Sequence, residues 1–224
     1  AQDVVTRNYR LSLSQVINKD FLMAFAVETM TDQGFLNNPY RQVRYIDPTN
    51  LTRGYSYQEE LYPNTRTSHA LALRGRYYLP QRAALSGGYR YFTDTWGIEA
   101  QTWELGYTLP YQEDWLFEFS YRYYDQTRAD FYADLFQSAD ELIFLARDKE
   151  LSSFSSQTFG LGASYEFKKN GSGLLKRGSL NLHYDFIRFD YADFRDLTVT
   201  SAVGEEPLYS FDAAVIRLFV SIWF

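Results

Sequence analysis

The stretch LYSFDAAVIRLFVSIWF, Leu208 to Phe224, alternates in a strict period of two. Phe224, Ile222, Val220, Leu218, Ile216 and Ala214 fall on one face, while Trp223, Ser221, Phe219, Arg217 and Val215 fall on the other. That is the side-chain period of a β-strand with one apolar face, and it excludes an amphipathic helix here. As the edge of a soluble sheet it would invite aggregation; ending on an aromatic residue, it is expected to close a bacterial outer-membrane barrel.

The rest of the chain repeats this alternation in shorter segments. Nine strands are expected. Tyr9, Leu11 and Leu13 oppose Asn8, Arg10, Ser12 and Ser14 in the first, and Met23, Phe25 and Val27 oppose Ala24, Ala26 and Glu28 in the second, across the polar turn Asn18 to Asp20. The third and fourth carry Leu71, Leu73, Tyr77 and Leu79, then Leu85, Tyr89 and Tyr91, on their apolar faces, with Pro80 to Arg82 between them. Trp103, Leu105, Tyr107 and Leu109 mark the fifth, and Trp115, Phe117, Phe119, Tyr121 and Tyr123 the sixth. Phe159, Leu161, Ala163, Tyr165 and Phe167 mark the seventh, and a basic turn, Lys168 to Arg177, leads to the eighth. That strand starts with Leu180, Leu182, Tyr184 and Phe186 on its apolar face, after which the apolar phase moves to Ile187, Phe189 and Tyr191. The change implies a bulge near Phe186 to Arg188, or emergence above the membrane where the rule lapses.

Three excursions interrupt the pattern. Thr31 to Thr67 reads as a long loop with a β-extension around Tyr55 and Tyr57. Asp125 to Ser152 is acidic and reads as a solvated loop with room for a short helix in LFQSADELIFLARDKEL, and Asp193 to Pro207 is the last excursion. Short turns alternating with long loops are expected of turns on the periplasmic side and loops outside. Nine is odd, whereas single-chain bacterial barrels have even strand numbers, so the chain is expected to be part of a larger even-stranded barrel, the alternative being an uncounted strand inside Thr31 to Thr67. No domain boundary appears within residues 1–224.

Composition agrees with this reading. There are 18 Phe, 20 Tyr and 4 Trp, yet mean hydropathy is negative and no apolar run approaches a membrane helix, because lipid-facing and lumen-facing residues cancel in any window. Tyr107, Trp103, Trp115 and Tyr165 are expected near strand ends, with their polar tips toward headgroups. A formal charge of −6 argues against nucleic acid as partner. The chain has no Cys, which excludes disulfides and thiolate metal sites. Ala1, Gln2 and Asp3 do not resemble a leader, so a leader has been removed or the chain belongs to a longer one.

Opposite the apolar face lie Arg10, Glu28, Arg74, Arg76, Arg90, Glu104, Glu118, Arg122, Glu166, His183, Asp185 and Arg217. These are the expected lumen-lining residues. In a narrow barrel they would neutralise one another and fill the interior; in a wide one they would line an aqueous path and bias ion passage. No catalytic, metal or cofactor site is expected. His69 and His183 have no second His or Cys at metal-ligand spacing. Ser179, Asn181, His183 and Asp185 share a face, but neighbours two apart on a strand sit about 7 Å from each other, too far for a triad.

The stretches GFLNNPYRQVRYIDP (Gly34 to Pro48), YPNTRTSHALALRGRYYLP (Tyr62 to Pro80), YRYFTDTWGI (Tyr89 to Ile98), FYADLF (Phe131 to Phe136), FLARDKELSSF (Phe144 to Phe154) and GSLNLHYDFIRFDYADFRDL (Gly178 to Leu197) together resemble the bacterial family catalogued as domain of unknown function 3570. The resemblance implies a Gram-negative envelope protein, usually longer at the amino end, with no defined functional motif. NNPYR and ARDKELS are either under functional demand or loops folded over the barrel mouth. The expectation is therefore an all-β, antiparallel transmembrane barrel of the outer membrane that passes or binds a small polar solute. The alternative is a non-conducting scaffold or receptor-like component of an envelope complex, linked to redox or flavin chemistry. Expected partners are outer-membrane lipid, the barrel-assembly machinery through the strand ending at Phe224, and other envelope proteins.

Overall fold

Nine of the eleven strands in the computed structural model form one antiparallel sheet, each strand paired with its neighbours in chain order. The structure describes residues 3–168 and 177–223; most of the basic turn between the seventh and eighth expected strands, and Phe224, lie outside the described residues. The first hairpin joins β1 (Val4–Asn18) to β2 (Phe21–Gly34). A separate two-stranded hairpin, β3 (Gln42–Ile46) and β4 (Tyr55–Glu59), follows. The main sheet continues through β5 (Thr65–Tyr78), β6 (Ala84–Asp94), β7 (Glu99–Tyr111) and β8 (Trp115–Gln126). It ends with β9 (Phe154–Lys168), β10 (Arg177–Arg195) and β11 (Leu208–Trp223).

The nine expected strands are thus the nine of the sheet. The β-extension at Tyr55 and Tyr57 is β4, but it pairs with β3 and adds nothing to the sheet, because β2 pairs directly with β5. Among the described residues β1 and β11 each have a partner on one side only, so the sheet is open at both edges. As first and ninth in an antiparallel succession, these two edges run in the same direction.

The register keeps the two faces distinct. On the apolar face, rows of directly paired residues cross the sheet, such as Leu85, Tyr107, Phe119, Leu161 and Tyr184. Among the described residues nothing covers these side chains: Leu11 is 74% exposed, Leu161 58% and Ile216 70%. Two aromatic groups bracket the face. Tyr89 packs on Trp103 with ring centroids 4.4 Å apart toward one end, and Trp115 packs on Tyr165 at 4.8 Å toward the other. From Trp103 to Tyr111, which pairs with Trp115, β7 covers about 27 Å at roughly 3.4 Å per residue.

Most of the buried apolar residues lie outside the nine strands. Tyr62, Trp96, Ile98, Ala129, Phe131, Tyr132, Ala146 and Leu151 form one buried cluster, and Val43, Phe136 and Leu145 another. All come from connections at one end of the sheet, and at the other end the described connections are tight turns. The loops therefore fold into a packed cap. Asp125 to Ser152 is not the solvated loop expected from its charge, and its LFQSADELIFLARDKEL portion holds no α-helix, only a 3-10 turn at Lys149–Leu151. Its apolar residues supply the cap interior instead.

The phase change in β10 also has its explanation here. Pairing with β9 is unbroken from Arg177 to Tyr191, so no bulge lies at Phe186 to Arg188; an irregularity against β11 comes later, between Asp190 and Arg195. Ile187, Phe189 and Tyr191 remain on the polar face. There Phe189 stacks on Phe211 with centroids 4.8 Å apart, and Tyr191 is buried against Phe154 and Tyr209. The polar face turns apolar where the cap meets it.

One turn fixes the cap to the sheet. Between β6 and β7, Trp96 and Ile98 donate backbone N–H groups to Asp94 Oδ1 at 2.9 and 3.0 Å, and Gly97 adopts φ +86°. A Cβ on Gly97 would lie 2.3 Å from Asp130 Oδ1. Gly97→Ala is expected to destabilise the folded protein by roughly 1–3 kcal/mol, from left-handed backbone strain alone or more with the clash. Thermal unfolding in detergent micelles checks this; an unchanged midpoint would contradict the turn's role.

Candidate functional site

Arg44 is the most deeply buried charge in the cap, with no exposed surface. It sits on β3, from the connection between β2 and β5. Its guanidinium donates to Glu206, Nη2 lying 3.1 Å from Oε2, and also ion-pairs with Asp134. Arg44 Nε donates to the Asp134 carbonyl at 2.9 Å. Asp134 takes a second arginine, Arg147 Nη2, at 2.8 Å, and the Arg195 backbone N–H at 3.2 Å. Glu206 accepts the Gly204 N–H at 3.0 Å. Three loops that are remote in sequence are thereby tied at one point.

Such a site satisfies its own cost. Two arginines face two carboxylates, and backbone groups fill the remaining positions, which is the condition under which buried charges are tolerated. Burial alone would push the Arg44 guanidinium down, but its bonds to Glu206 and Asp134 outweigh this and hold it above its ordinary value. The bond from Arg44 holds the Glu206 carboxyl below its usual range, against burial. Beside this centre, Glu60 accepts from the Arg147 N–H at 2.7 Å and the Tyr62 hydroxyl at 2.5 Å.

Beneath the cap, where it meets the polar face of the sheet, lies a cavity of about 430 Å³. Tyr62, Trp96 and Leu151 line it from the loops, and Arg66, Arg90 and Tyr124 from the strands. Arg66 lies 4.6 Å over the Trp96 ring and bonds Asp94 through Nε at 2.7 Å, so it is both stacked and neutralised. Arg90 lies 5.3 Å over Phe92, and no carboxylate partners it among the described residues.

All twelve residues expected on the lumen side share the polar face, and the structure sorts them into three groups. Toward the edges, Arg177 bonds Glu166 at 2.5 Å and Arg217 bonds Asp185 at 2.6 Å, while Arg10 stands opposite Glu28 in register and Glu28 accepts from Asn8 Nδ2 at 2.8 Å. His183 lies parallel to Phe219 with ring centroids 5.9 Å apart, over the bare backbone of Gly162, where a Cβ would come within 2.8 Å of its Nδ1. In the centre of the sheet, Arg74 and Arg122 flank Glu104 at 3.9 Å each, with Arg76, Arg90 and Glu118 nearby on the same face.

The match to known proteins rests on this same span. A family model, a protein of unknown function family (DUF3570), matches residues 2–176. The chain belongs to the DUF3570 family. The match takes in β1 to β9, the β3–β4 hairpin and the loop that carries Asp134 and Arg147; Gly178 to Leu197 lies beyond it. No curated protein and no solved structure matches the chain.

Within this DUF3570 protein, Arg44, Asp134, Arg147 and Glu206 were not among the residues that alternation singles out. Three of the four lie in family-like loop stretches, RQVRYIDP, FYADLF and FLARDKELSSF, and that was the available signal. NNPYR and ARDKELS do fold over the end of the sheet and meet there, Arg41 of the first forming an ion pair with Asp148 of the second.

Removing Arg44 would leave two carboxylates buried with less than their due. Arg44→Ala is expected to cost the cap roughly 3–5 kcal/mol. The check is limited proteolysis of 127–153, which should become fast while the sheet stays folded; slow cleavage would contradict it. A carboxyl with a depressed native pKa stabilises the fold above its unfolded value and loses that contribution as pH falls through the native one. Hydrogen-exchange protection in 196–207, relative to the unstructured rate at the same pH, is therefore expected to fall on acidification below the ordinary carboxylate range, and Glu206→Gln to flatten that dependence.

Proposed function

We propose that this protein is an outer-membrane β-barrel component that binds or passes a small polar solute along its charged face. The observation that carries the reading is the division of one sheet into two faces. A broad, exposed apolar face bracketed by aromatic rings suits contact with lipid, where a charge at the bilayer midplane would cost on the order of 2–4 kcal/mol. The opposite face bears arginines, carboxylates and short side chains, which suits water and solute.

Closure follows from the edges. Because β1 and β11 run the same way, they can meet directly only in a parallel seam, or be joined antiparallel through an odd number of further strands. The second arrangement gives an even total, as in single-chain bacterial barrels. The absence of Cys makes this easy to test. A scan of introduced cysteine pairs across β1 and β11 is expected to give no disulfide, since bridging needs Cα atoms within about 7 Å. Efficient bridging at one register would demonstrate the parallel seam instead.

The cap favours a second reading. A loop plug held by an ion cluster around the buried Arg44 is the construction expected of a sealed barrel serving as scaffold or receptor-like component of an envelope complex. Single-channel recording of the full chain in a planar bilayer separates the two: steady current is expected for passage, and a folded but silent barrel selects the sealed form.

A further inference from the structure

The charges on the polar face are not evenly distributed. Arg66 is held by Asp94, Arg177 by Glu166 and Arg217 by Asp185, and Arg10 stands opposite Glu28. Apart from Arg10, which has no carboxylate within ion-pair distance among the described residues, what remains lies on β5 to β8. There Arg74, Arg76, Arg90 and Arg122 face only Glu104 and Glu118. Glu104 is shared between Arg74 and Arg122 at 3.9 Å, longer than a charge-assisted hydrogen bond. Arg76 and Arg90 have no carboxylate within ion-pair distance among the described residues. The side chains of Arg74, Arg122 and Glu104 are 59%, 45% and 46% exposed, so their unspent donors are open to solvent.

The neighbourhood leaves room for a ligand. Arg74, Arg90, Arg122 and Glu104 border a cavity of about 270 Å³, and Arg74, Arg76 and Arg122, again with Glu104, border a second of about 650 Å³. The wall between strands is built of Ala24, Ser86, Gly88, Gly106 and Ser120. These residues cannot reach across to neutralise an arginine, and their shortness keeps the space open. A Cβ on Gly106 would lie 2.4 Å from Ser86 Oγ, which shows how closely the wall is packed.

From this juxtaposition the geometry points to a small oxyanion, a carboxylate or phosphate bearing solute, as the ligand of the central arginine group. Guanidinium forks bind such groups in a bidentate manner and stay charged at any working pH. Electropositive walls also raise the local concentration of anions. The cavity under the cap shares Arg90 and Tyr124 with this space but is lined also by Asp32, Asp148 and Glu150, and its Arg66 is already taken by Asp94, so the anion site lies at the central group and not under the cap.

This assignment rests on the reading of the polar face as the solute side, and the test keeps the two apart. The full chain is inserted into planar bilayers under a potassium chloride gradient, and the reversal potential is read for the wild type and for Arg90→Gln with Arg122→Gln. Anion selectivity that shifts toward zero in the double variant is the expected result. A conducting barrel that prefers cations, or selectivity indifferent to both arginines, overturns the assignment while leaving passage intact. If the folded barrel is silent, passage fails and binding decides: titration calorimetry with inorganic phosphate in micelles is expected to show saturable binding that Arg74→Gln with Arg122→Gln abolishes. No binding by the wild type overturns the assignment. Heat-modifiable migration of each variant controls for folding.

Discussion

Everything in this structure depends on the register of one antiparallel ladder. With a side-chain period of two, a slip by one residue in any strand would move its arginines to the apolar face and its leucines to the polar one. Nine strands hold that register, so that Leu105, Leu161 and Leu182 stay on one side while Glu104, Gly162 and His183 stay on the other. Tight turns at one end pin each hairpin. Arg82 and Gln112 take left-handed backbone conformations there, at φ 66° and 57°.

The other end is held differently. Long connections give up the ladder's regularity and must satisfy their backbone and bury apolar surface by other means. They do so around Arg44, which draws Asp134 and Glu206 together across 90 and 162 residues of sequence. The aromatic cluster of Tyr62, Trp96 and Phe131 supplies burial next to it, with centroids 5.2 to 5.7 Å apart. A charged knot of this kind gives geometric definition more than net stability, because its desolvation cost offsets much of its attraction. It sets where the cap sits over the polar face, and so how the cavity beneath is shaped.

How legible this was differs between the two halves. The sheet could be read from the chain because alternation is local: Trp115, Phe117 and Phe119 declare their face within five residues. The residues of the polar face followed from the same parity. The cap could not be read, since Tyr132, Phe136 and Leu145 occupy irregular backbone where apolar spacing has no period, and Val43 sits on a strand of only five residues. Its acidic loop looked solvated for the same reason: Asp134 reveals its role only beside Arg44. The apolar phase of β10 was equally ambiguous in sequence, because Phe189 and Tyr191 are apolar on account of the cap above them and not through a break in the strand.

The division of labour between the faces is the claim on which the functional reading stands. It is tested most directly by single cysteines, introduced into this cysteine-free chain, carrying an environment-sensitive fluorophore in protein folded into bilayers. Labels at Leu105, Leu161 and Leu182 are expected to be quenched by brominated lipid and protected from aqueous quencher, and labels at Ser86 and Ser120 to show the reverse. Equal aqueous quenching of both sets would contradict a lipid-facing sheet.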